Sequence, residues 1–532
     1  MLFNSNIFIF AFLPVALAGF YLFGAAGRVA AASWLILCSL LFYMWWNPPF
    51  VLILLASVGM NCLFGRAIFA SRRHPKRQSA IFWLAVAANL GALFYFKYLY
   101  ALLAFLQSHG IAVPAMDDVV LPLGISFYTF TQLGYLVDCK QGLVKEQGTI
   151  DYFLFVTFFP HLIVGPILHH REIMPQFAMA QTYRCNPDNL SAGLTMFVMG
   201  LAKKVLLADH LASSADMGFD DPQNLAFFAA WGAALAYSLQ LYFDFSGYSD
   251  MAVGLARMFG IRFPLNFNSP YKAANIIDYW QRWHMSLTHY LTEYLYNPVS
   301  MAVMRWRVAK GYGVSRKATA SIGGIASLVM VPTFFTMILA GVWHGAGFQF
   351  LIFGLLHGSY LTINHAWRLR KRGGAKHAEH SPLRRAGCVL LTYLAALVAQ
   401  VFFRASSAQS ALTMLYGMAG LHGIEDGIAV PAQAAALLGG VDGFLGANGV
   451  IAIGDAGPLT LLFKIVVLFA VVWTMPNTQQ IMARFSPALS DAKPSHILQW
   501  RPSFGYAVAA GCLLGISTLG LQTPSRFLYF QF

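Results

Sequence analysis

Charge is scarce in this 532-residue chain. Only 11% of its residues are Asp, Glu, Lys or Arg, less than half of the roughly 25% usual in soluble proteins. A chain so poor in charge cannot cover itself with a solvated surface. With 58% hydrophobic residues, it reads as an integral membrane protein rather than as a string of soluble domains. Cysteine is also rare: Cys38, Cys62, Cys139, Cys185, Cys388 and Cys512 are scattered without a C-x-x-C or a close pair. That leaves no disulfide framework and no zinc site to expect. The sequence lacks G-x-x-x-x-G-K-[ST], G-x-S-x-G and spaced histidine boxes. P-loop nucleotide chemistry, a nucleophile-elbow hydrolase and a membrane di-iron site are therefore set aside. Acids are fewer than bases, 21 against 35, for a formal charge of +14.

What is present is a succession of apolar runs. Crossing about 30 Å of hydrocarbon takes about 20 apolar residues. Candidate spans fall at 7–23, 33–46, 50–69, 80–106, 151–167, 190–208, 225–243, 322–343, 347–367, 386–403, 458–475 and 503–522. The runs 33–46 and 151–167 are short, so the expectation is about ten or eleven true crossings. The whole of 1–532 is read as one membrane domain.

The basic residues explain the positive charge without nucleic acid. They cluster as "SRRHPKRQ" (71–78), "RWRVAKGYGVSRK" (305–317) and "RLRKRGGAKHAEHSPLRR" (368–385), the positive-inside pattern of cytoplasmic loops that contact anionic lipid. The N-terminus and the segment 405–456 are then expected outside; that segment lacks Lys and Arg but carries Glu425, Asp426, Asp442 and Asp455. The first apolar run has no basic residue before Arg28, so it reads as a retained span rather than a signal peptide.

Two stretches interrupt the pattern. "VVLPLGISFYTFTQLGYLVD" (119–138) carries Pro122, Gly124 and Gly134 and reads as a broken helix buried in protein. "NSPYKAANIIDYWQRWHMSLTHYLTEYLYNP" (268–298) has no window apolar enough to span and is rich in Trp and Tyr, so it is placed at the interface. Within it Asp278 and Arg282 pair at i,i+4. His284 and His289 would lie about 140° apart on one helix, poor geometry for two ligands of one metal.

His344 is the sharpest chemical candidate. It ends an apolar run, follows Trp343 and precedes Gly345 and Gly347. An ionisable group there usually faces a cavity or a relay, and burial keeps its imidazole in the neutral form that a general base needs. His357 would lie about 220° around a continuous helix from His344 and is read as packing, as is His365. Asp244 and Asp250 sit in "LYFDFSGYSDMAVG" between small and aromatic residues, where Gly247 and Gly254 let helices approach closely; they suit supporting roles. His161, His169 and His170 are read as structural. Buried Asp and His also suit a proton-coupled transporter, although no inverted repeat supports one.

The ordered segments "MLFNSNIFIFAFLPVAL", "LPLGISFYTFTQLGYLVD", "FFPHLIVGPILHHREIMPQF", "YFDFSGYSDMAVG", "YWQRWHMSLTHYLTEYLY", "GVWHGAGFQFLIFGLLHG" and "SRFLYFQF" resemble the membrane-bound O-acyltransferases. The likeness is to the bacterial branch that contains the alginate O-acetyltransferases. It implies an all-α polytopic fold, with re-entrant and interfacial helices around a central tunnel, in the bacterial inner membrane. It also implies that the essential histidine is His344 and the second histidine His284. Arg282, Trp343 and Asp244 are the candidate substrate-binding residues. No bound cofactor and no metal are expected, and acetyl-CoA is the expected donor. The partners expected are the lipid bilayer, an exported polysaccharide and a periplasmic acetyl-acceptor or transferase protein. D-alanyl or peptidoglycan transfer remains an alternative on the same scaffold.

Overall fold

A computed structural model describes residues 1–114, 119–144, 148–371, 381–424, 458–490, 492–522 and 528. Every regular element among the described residues is helical. The outer-face expectation for 405–456 rests mostly on residues that lie outside the described ones. Among the described residues, six helical segments are both long and apolar enough to cross a bilayer: Phe8–Ala26, Phe50–Ala70, Pro75–Lys97, Pro187–Asp220, Ile322–His344 and Pro382–Arg404. The bent pair Thr460–Thr474 and Thr478–Phe485 makes a seventh when it is counted as one span.

The larger number expected from the sequence included shorter elements. Arg28–Met44 is 17 residues and Phe504–Leu519 is 16. The run 151–167 is split into Thr149–Thr157 and Phe159–Leu162 at Phe158, whose backbone leaves the helical region just before Pro160.

The chain forms two compact units. The first contains residues 1–201, 248–266 and 478–513. Its core is a cluster of Phe3, Phe8, Phe42, Phe158, Phe159 and Tyr248, all buried, with Phe42 and Phe159 ring centroids 5.5 Å apart. Between the helices Phe50–Ala70 and Pro75–Lys97, Asn61 and Asn89 exchange amide hydrogen bonds of 2.9 and 2.7 Å. A buried amide is costly unless paired, and this reciprocal pair meets that demand while fixing register. The 119–138 stretch is less broken than expected. Its irregularity ends at Gly124, which is left-handed (φ 72), and Ile125–Gln141 runs as one regular helix through Gly134.

The second unit contains residues 202–247, 267–477 and 514–532. Its described part is organised around a helical hairpin, Val331–His344 followed by Phe348–Lys371. The hairpin closes because glycines leave room for backbone. A Cβ on Gly341 would sit 2.3 Å from the Phe350 carbonyl oxygen, and one on Gly354 would sit 2.4 Å from that of Met337. Both are impossible contacts, so only glycine permits this approach. The interfacial stretch 268–298 folds into short helices, including Ile276–Trp280 and Met285–Leu291.

Candidate active site

The hairpin turn positions the first functional side chain. His344 is the last residue of its helix, and Gly345 is extended. A Cβ at Gly345 would meet the Phe350 ring at 2.1 Å, so the turn can fold tightly only without one. His344 is 7% exposed and packs edge-on to Phe403 at 4.9 Å and Phe353 at 6.0 Å. The negative end of the helix dipole faces this position, a field that favours positive charge by about 0.3–1 kcal/mol. A ring that takes up a proton during reaction gains charge in that field.

His284 is held by a different device. It is not on a helix face, because its backbone is left-handed (φ 43, ψ 53) and it caps Met285–Leu291. A non-glycine residue pays about 1–2 kcal/mol for that conformation, and it persists only where the surroundings over-determine it. Here they do. The Asn275 side chain caps Asp278 N–H at 3.1 Å, and Arg282 Nε donates to Asp278 at 2.7 Å. Trp283 N–H donates to the Tyr279 carbonyl at 2.8 Å, and the Arg282 carbonyl accepts from Asn268 N–H at 2.9 Å. Tyr279 and Trp283 stack within 10° of parallel. Burial alone drives the His284 imidazolium pKa down to about 3, so the ring is neutral at physiological pH.

Both histidines line one small cavity of about 30 Å³, walled by Leu241, Phe245, Tyr279, Trp280, Trp283, Leu287, Phe353 and Phe403. Two further polar residues line it: His357 and Gln400. The Gln400 amide is oriented by a network in which each donor has an acceptor. Tyr271 OH donates to the Ser238 carbonyl at 2.7 Å and accepts from Ser238 Oγ at 2.9 Å and Gln400 Nε2 at 3.1 Å. Ser238 Oγ in turn accepts from Tyr393 OH at 3.0 Å.

The remaining sequence candidates lie around this cavity rather than on it. Arg282 is engaged by Asp278 and by the Asn268 carbonyl at 3.3 Å, contacts within the turn that presents His284. Trp343 is buried and packs against His344, with ring centroids 4.7 Å apart. Asp244 is taken by Lys204 at 2.7 Å and also accepts the Leu528 N–H at 3.2 Å. Lys204 sits in a π-turn, Lys203–Ala208, and bonds Asp209 at 2.7 Å as well.

His357, read from the sequence as packing, lines the cavity instead. The 220° separation from His344 assumed a continuous helix, and the hairpin turn cancels it by folding the second helix back onto the first. The signal was the glycine set at 341, 345 and 354. His284, His344 and His357 do not bring their ring nitrogens close enough together to be three ligands of one ion. The arrangement is instead that of an acid–base site. It offers imidazoles, an oriented amide and aromatic walls, and no carboxylate among the described residues lines it.

The profile described as "MBOAT, membrane-bound O-acyltransferase family" matches residues 137–310, which include His284. The chain is 37% identical over 455 residues to the peptidoglycan O-acetyltransferase of Helicobacter pylori, covering 80% of this chain and 81% of that one. It is 37% identical over 424 residues to the protein named "Probable alginate O-acetylase AlgI" of Pseudomonas aeruginosa, covering 79% and 75%. It is 30% identical over 295 residues to the teichoic acid D-alanyltransferase of Bacillus subtilis, covering 55% and 70%.

Proposed function

The chain belongs to the membrane-bound O-acyltransferase family, and from that premise we propose that it moves an acetyl group from cytoplasmic acetyl-CoA to a hydroxyl at the outer face of the bacterial inner membrane. It is a multi-pass membrane O-acyltransferase. The observation that carries the proposal is the convergence of His344 and His284 on one apolar cavity.

His344 is the general base. It takes the proton of the acceptor hydroxyl as the oxygen attacks the thioester carbonyl, then returns it as the thiolate leaves. General-base catalysis is worth about 10²–10⁴-fold, and the helix terminus favours the imidazolium that forms in between. His284, neutral and rigidly presented, contributes polarity from the same cavity lining.

Acetyl is favoured over D-alanyl by the character of the wall. A D-alanyl ammonium would find no carboxylate among the described cavity residues, and a buried charge needs a partner. Polysaccharide is the proposed acceptor class, either directly or through a periplasmic acetyl-carrying protein. The similar proteins named for alginate and for peptidoglycan support that class. In the producing cell, His344→Ala at unchanged protein level should lower acetylation of the exported polymer by at least 100-fold. Acetyl content equal to wild type would remove the mechanism.

A further inference from the structure

His357 carries information about its own proton. Trp280 Nε1–H donates to His357 Nδ1 at 3.2 Å. An indole nitrogen can only donate, so Nδ1 holds a lone pair and the single proton of the neutral ring sits on Nε2. The ring is 2% exposed. It is enclosed by Trp280 (edge-on, 5.0 Å), Phe353 (4.7 Å), Tyr360 (5.8 Å) and Tyr279, which lies within 9° of parallel. No group among the described residues accepts from Nε2, yet the residue lines the cavity shared with His344 and His284. A substrate acceptor atom in the cavity would take up that N–H.

We propose that His357 is a catalytic residue whose Nε2–H hydrogen-bonds the carbonyl oxygen of the acyl donor, forming the oxyanion hole, and that Trp280 is the positioning residue that fixes its tautomer. This assignment rests on the acyl-transfer reading above. The acceptor oxygen forms a bond to the carbonyl carbon while His344 takes its proton. The carbonyl π pair moves to oxygen, and the resulting oxyanion is held by His357 Nε2–H. The pair then returns, the carbon–sulfur bond breaks, and the thiolate receives the proton from His344. His357 donates a hydrogen bond throughout and is never deprotonated. Trp280 prevents the other tautomer, which would present a bare lone pair to the oxyanion.

The test uses full-length protein purified in detergent, with release of thiol from acetyl-CoA in the presence of a soluble hydroxyl acceptor. Loss of one oxyanion donor typically lowers kcat by about 10²–10³-fold. His357→Phe should do so with the KM for acetyl-CoA within about threefold of wild type. His357→Gln, which restores an N–H near the Nε2 position, should recover at least tenfold over Phe. Trp280→Phe should lower kcat without changing KM and have no further effect in the His357→Gln background, the non-additivity of residues acting as a unit. Wild-type kcat in a folded His357→Phe, a loss confined to KM, or a Gln variant no better than Phe would each overturn the assignment while leaving acyl transfer intact. A wild-type protein that releases no thiol would overturn the acyl-transfer reading itself.

Discussion

At the scale of single residues, the site depends on a His284 imidazole kept neutral. For His284 the means is burial, which separates its native pKa of about 3 from the ordinary 6.5. As pH falls below 6.5, the unfolded chain takes up a proton that the native protein refuses. Stability therefore drops progressively between pH 6.5 and about 3. Asn tolerates the left-handed backbone and does not titrate, so His284→Asn should flatten the fall of Tm between pH 6.5 and 4. A variant whose Tm tracks wild type across that range would show that His284 is not the group responsible. His344 was legible in the sequence because an ionisable residue in an apolar run stands out. His284 was legible as a residue but not as a geometry, since its left-handed backbone breaks the helix that the 140° estimate assumed. Gln400 carried no signal, because it sits inside an ordinary apolar span and its value comes from Ser238, Tyr271 and Tyr393, which are distant in sequence.

At the scale of elements, the decisive piece is the hairpin of Val331–His344 and Phe348–Lys371. Its glycines permit backbone-to-backbone packing and so bring His344 and His357 to one cavity. Gly354→Ala would force the Met337 carbonyl away, which should cost about 1–3 kcal/mol and lower kcat by misplacing both rings. Gly387→Ala, in the helix Pro382–Arg404, meets nothing within 4 Å. It should leave activity unchanged and hold or raise Tm by the helix-propensity gain of about 0.5–1 kcal/mol. Equal thermal shifts in the two variants would contradict the packing argument. The apolar runs on either side of residue 345 were readable from hydropathy. The fold-back was not, because a turn between two apolar runs leaves the same pattern as one bent helix.

At the scale of the whole molecule, composition alone placed the chain in a membrane, and the ordered motifs placed it among the acyltransferases. The number of crossings was harder to read, because apolar runs, helix lengths and the charges they carry do not coincide: Phe227–Met258 and Phe348–Lys371 are long helices outside the six apolar ones. Arg28–Met44 and Phe504–Leu519 are apolar but short. The proposed reaction has donor and acceptor meet His344 from opposite faces of the membrane. The most direct measurement of that claim reconstitutes the protein in one orientation in sealed vesicles, with labelled acetyl-CoA on the face bearing the basic loops and a membrane-impermeant hydroxyl acceptor in the opposite compartment. Wild type should produce labelled acceptor across the bilayer, and His344→Ala, equally folded and inserted, should produce none above background. Labelled product at the wild-type rate from His344→Ala, or product formed only when donor and acceptor share a compartment, would contradict the account.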